Sequence, residues 1–62
     1  MTEQQEYLTE NLMLTIGRME YQGKLIETGN TTTPAGVPRT EHLQKLAERA
    51  REFLIELEET LK

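Results

Sequence analysis

The sequence predicts an all-α fold: a two-helix antiparallel hairpin that self-associates into a dimeric four-helix bundle. Three observations predict it. Apolar residues recur at steps of three and four in two separate stretches. No period-2 run of β-branched residues marks a strand. The first stretch also carries more apolar surface than the second can cover. The whole reads as one domain, residues 1–62, with a helix over about 3–28, a loop over about 29–39 and a second helix over about 40–61.

The first helix begins at Thr2, which has capping-box spacing to Gln5, with Glu3, Glu6 and Glu10 near the positive end of the helix dipole. At about 100° per residue, Leu8, Leu12, Ile16, Met19, Gly23 and Ile26 fall on one stripe, with Met13 at its far edge. Tyr7, Leu14, Tyr21 and Leu25 fall on another side. A helix with one buried neighbour needs one stripe, so the second is expected to meet another copy of the chain. The expected oligomer interface is Tyr7, Leu14, Tyr21 and Leu25, with Phe53 from the second helix. Gly17 and Gly23 interrupt the helix and each costs about 1 kcal/mol relative to alanine, which close packing by a neighbour would explain.

Gly29 suits the left-handed position that ends a helix. The link that follows, GNTTTPAGVP, is longer than the usual two to eight residues between antiparallel helices. Thr33 before Pro34 has the signature of a short helical turn, which Gly36 would end, and Val37 is expected to tuck against the bundle.

The second helix is expected to start after Thr40 as its N-cap, with Glu41 in the first turn. Leu43, Leu46, Ala47, Ala50, Phe53, Leu54, Leu57 and Leu61 form a stripe about 120° wide, the width of a core-facing helix. Glu41 with Lys45 and Glu58 with Lys62 have the spacing of favourable ion pairs.

A chain of 62 residues buries only about 60% of its unfolded surface, so its core is marginal without disulfides, a metal or oligomerisation. There is no cysteine and only one histidine, His42, which leaves oligomerisation and makes a metal site or cofactor unexpected. Eleven acidic residues, all glutamate, outweigh seven basic ones for a net charge of −4, and no basic run offsets that. Nucleic acid is therefore not an expected partner. No apolar run approaches a membrane span and the N-terminus lacks a signal pattern, so a cytoplasmic protein is expected. Without serine, cysteine or aspartate a nucleophilic triad has no parts, and the glutamates sit at the spacing of a solvated helix face. The chain is not expected to be an enzyme.

Two functions remain. The first is a non-enzymatic interaction protein, an inhibitor or adaptor that acts by binding a larger protein as a homo-oligomer, through the loop or the acidic face of Glu48, Glu52, Glu56 and Glu59. The second is an oligomeric sequestering protein for a small anionic ligand such as a nucleotide signal. Its site would be Thr31, Thr32, Thr33, Arg39, Thr40 and His42, where a helix N-terminus, hydroxyls and an arginine favour an anion. Arg18 and Tyr21 would complete it beside Gly17. In outline, being short and oligomeric with a polar loop and interfacial arginines, the chain is similar to the small phage-type helical hairpins that sequester cyclic nucleotides. That similarity implies shape alone.

Overall fold

The computed structural model describes residues 2–62 and consists of two helices, α1 (Glu3–Glu27) and α2 (Arg39–Thr60), packed against each other as a hairpin. It measures 42 × 17 × 14 Å, the long axis being that of α1. No helix among the described residues is long and apolar enough to cross a membrane.

α1 starts as the sequence requires. Thr2 Oγ1 accepts from the Gln5 amide and Gln5 Oε1 accepts from the Thr2 amide, both at 3.1 Å, which satisfies two N–H groups that the first helical turn leaves free. Gln5 also donates through Nε2 to the Thr60 carbonyl at 3.3 Å, tying the start of α1 to the end of α2. α1 stops at Glu27 with Thr28 as its C-cap and Gly29 at φ 90°, a conformation that disfavours any residue with a Cβ.

The seam runs along one side of α1. Leu8 is buried, Leu12, Met19 and Ile26 are half-buried, and Thr15 is buried among them. Thr15 sits there because its hydroxyl donates to the Asn11 carbonyl at 2.8 Å, so no polar group is left bare. Ile16, expected in the seam, is 43% exposed because α2 lies over the Thr15 side of it. From α2, Leu46 is buried, while Leu43, Ala50, Phe53 and Leu57 are half-buried. No element of the chain packs closely against Gly17 or Gly23 among the described residues. A Cβ at either would meet nothing within 4 Å.

The start of α2 corrects the expectation at Thr40. The helix begins two residues earlier than a Thr40 cap requires, with Pro38 as N-cap and no side-chain cap, and Thr40 is an exposed residue in its first turn. The reason lies in the loop. The Arg39 amide already donates to the Thr31 carbonyl at 2.9 Å, so the helix end needs no hydroxyl. The loop itself is a miniature hairpin, with Thr32 and Pro38 forming an antiparallel bridge. Thr33 to Gly36 is a tight turn closed by the Gly36 amide on the Thr33 carbonyl at 2.8 Å, with Gly36 at φ 84°, where a helical turn was expected. Val37 is 40% exposed and does not tuck in, because its backbone is held out by Thr33. Glu41 and Lys45 pair at 3.8 Å, whereas Lys62 lies past the end of α2 and forms no such pair with Glu58 among the described residues.

Candidate functional site

The residues singled out in the sequence divide into two groups, one at the loop end of the hairpin and one along α1. The first centres on Arg39, the opening residue of α2. Its side chain is buried at 9% exposure, with Nε donating to Asn30 Oδ1 at 3.2 Å and Nη1 to Gln22 Oε1 at 2.9 Å. A buried arginine usually meets a carboxylate. Here both acceptors are neutral amides, and no carboxylate lies within ion-pair distance of Arg39 among the described residues. The remaining nitrogen, Nη2, has no hydrogen-bond partner among them, and it keeps contact with solvent, since no buried side-chain N or O atom goes unpaired.

The threonine cluster is less available than its composition suggests. Thr33 Oγ1 is consumed in accepting from the Val37 amide at 3.2 Å. The exposed residues Thr31 and Thr32 lie beside the start of α2, with the Thr31 carbonyl accepting from the Arg39 amide and Thr32 bridged to Pro38. Thr40, at about 100° per residue, faces a different flank of α2 from His42, so the structure does not bring the two together.

The second group lies along the outer face of α1. Glu10, Met13, Leu14, Gly17, Arg18 and Tyr21 line a shallow open groove, and His42 and Gln22 close its end. Arg18, Tyr21 and His42 thus border one groove. Gln22 belongs to both groups, since it borders the groove and accepts from Arg39. It was not foreseen as a site residue, although a polar side chain on the seam-facing half of an amphipathic helix is a signal for a buried polar partner. The groove is open along its length, with α1 as its main wall and His42 of α2 at one end.

The five residues expected at an oligomer interface are distributed as follows. Tyr7, Leu14 and Tyr21 are 62%, 56% and 61% exposed, while Leu25 and Phe53 are half-buried. No group of three or more histidine, cysteine or acidic side chains is placed to hold a metal ion among the described residues. No family model, curated protein or solved structure matches this chain.

Proposed function

We propose that the chain is a non-enzymatic interaction protein of the cytoplasm, an acidic helical hairpin that self-associates into a dimeric four-helix bundle and acts by binding a larger partner. One observation carries this reading. Leu8 and Leu46 are the buried apolar side chains, whereas Tyr7, Met13, Leu14 and Tyr21 stay more than half exposed along a single helix. A chain this small cannot leave its largest side chains in water and remain stable on one seam. Two hairpins packed together use both faces of α1. The exposed loop and the acidic outer flank of α2 are then the surfaces left for a basic partner. Sedimentation over a wide concentration range tests the premise. A dimer, with a melting temperature that rises with concentration, is expected. A compact chain that melts cooperatively and stays single at high concentration overturns it.

A second reading is favoured by Arg39, a buried cation facing amides with one nitrogen free at the loop end. In that reading the oligomer sequesters a small anion such as a nucleotide. Thermal melting with a panel of nucleotides separates the two, because a ligand at 100 times its dissociation constant adds about 2.7 kcal/mol. No shift with any nucleotide sinks the sequestering reading.

A further inference from the structure

Along the outer face of α1, between Tyr7 and Tyr21, the sequence is close to its own reversal. Tyrosines stand seven residues before and after Leu14 (Tyr7 and Tyr21), and opposite charges stand four residues before and after it (Glu10 and Arg18). All five are exposed. At 100° per residue they occupy a band about 80° wide, turned roughly 120° from Leu8 and so from the seam with α2.

The geometry points to this band as the contact with a second copy of the chain, α1 against α1, antiparallel, with the two-fold axis passing through Leu14. The inference rests on the self-association reading above and supplies its surface and register. A two-fold contact matches a patch to itself, residue i meeting j while j meets i. Centred on Leu14, the antiparallel arrangement sets Leu14 against Leu14 of the partner subunit. It places Tyr7 level with Tyr21 of the partner subunit and Glu10 level with Arg18 of the partner subunit, each pairing occurring twice. The tyrosines then cover one another's rings and the charges oppose in sign. Gly17, with open space where a Cβ would stand, leaves room for the partner backbone beside Arg18. A parallel arrangement brings Glu10 against Glu10 and Arg18 against Arg18, and like charges at contact oppose it.

α2 supplies an independent observation. The flank of α2 on the same side of the hairpin carries His42, Lys45 and Arg49 in its first half and Glu52, Glu56 and Glu59 in its second. Reversed on itself about a point between Ala50 and Arg51, it pairs Arg49 with Glu52, Lys45 with Glu56 and His42 with Glu59. Lys45 reaches this pairing by leaving a long, exposed contact with Glu41 at 3.8 Å. The Gln5–Thr60 and Arg39–Gln22 hydrogen bonds fix the alignment of the helices, and interpolation between them sets Leu14 level with Arg49. One axis therefore serves both helices to within about one or two residues, each a rise of about 1.5 Å. Ile16, Leu54 and Leu61, also exposed, turn to the other side of the hairpin and carry no such charge order.

Because the chain has no cysteine, single cysteines report the contact cleanly. Under mild oxidation at micromolar concentration, Leu14→Cys is expected to cross-link to itself and Ile16→Cys is not. Tyr7→Cys mixed with Tyr21→Cys is expected to give the mixed dimer in preference to either homodimer. Glu10→Arg and Arg18→Glu should each raise the dimer dissociation constant about tenfold or more, and together return it to within about threefold of the parent. Helicity by circular dichroism checks that these exposed substitutions leave the fold intact. A parent chain that sediments as a monomer at all concentrations overturns the self-association reading and this inference with it. A parent dimer in which Ile16→Cys cross-links, Leu14→Cys stays silent and the charge reversals are neutral overturns the register alone.

Discussion

Arg39 Nη1 lies 2.9 Å from Gln22 Oε1, and this hydrogen bond joins the first residue of one helix to the last full turn but one of the other. Together with the bond from Nε to Asn30, it makes a single side chain hold α1, the loop and α2 at once. The cation is used as a structural rivet, and only its outer nitrogen remains for anything else.

Replacement of Arg39 by alanine should therefore cost about 2 kcal/mol, the range for hydrogen bonds made by a charged donor. Arg39→Lys should recover little, since an ammonium cannot present two donors in the fixed fork that reaches Asn30 and Gln22 together. Urea melts followed by circular dichroism give both values. Equal stability of the alanine variant and the parent would remove the rivet from this account.

Leu46→Ala should cost about 2–5 kcal/mol, as expected for a large-to-small change at a buried site. In a hairpin with so few buried apolar side chains, that loss is expected to unfold most of the dilute protein at 37 °C. Loss of the helical signal at low concentration, and its recovery as concentration rises, is the outcome to look for.

The glycines should separate by conformation. Gly36→Ala forces a Cβ into φ 84° and should cost about 1–2 kcal/mol. Gly17→Ala has open space around it within the chain and should stabilise the dilute hairpin by up to about 1 kcal/mol through helix propensity. Melting at low concentration tests both signs. Gly17→Ala should then weaken association at high concentration if a second copy comes close there.

Thr2→Ala removes the hydroxyl that accepts from Gln5 and should cost about 1 kcal/mol. Amide exchange in the first turn of α1 should quicken by about tenfold or less, with the middle of the helix unaffected. Uniform exchange in both proteins would contradict a working cap.

Much of this fold was legible because its signals are local. The three- and four-residue apolar steps located both helices, and the Thr2–Gln5 spacing produced the cap it implies. Gly29 ended α1 as its backbone freedom suggested. The loop was less legible because its shape depends on contacts distant in sequence. Thr40 had the side chain of a cap, but the Thr31 carbonyl reached the Arg39 amide first and moved the helix start. Arg39 itself was expected only as an anion-binding group, and its neutral amide partners leave no charge pattern from which its burial could be read. Arg18, Tyr21 and His42 converge because helical spacing and hairpin register are both regular enough to carry that far.

The scarcity of shielded hydrocarbon around Leu8 and Leu46 has a calorimetric consequence. Heat capacity on unfolding follows the apolar area newly wetted, so a solitary hairpin should show a small increment and a broad, shallow transition. Pairing of copies would add the aromatic rings of Tyr7 and Tyr21 to that area, sharpening the endotherm as the sample is made more concentrated.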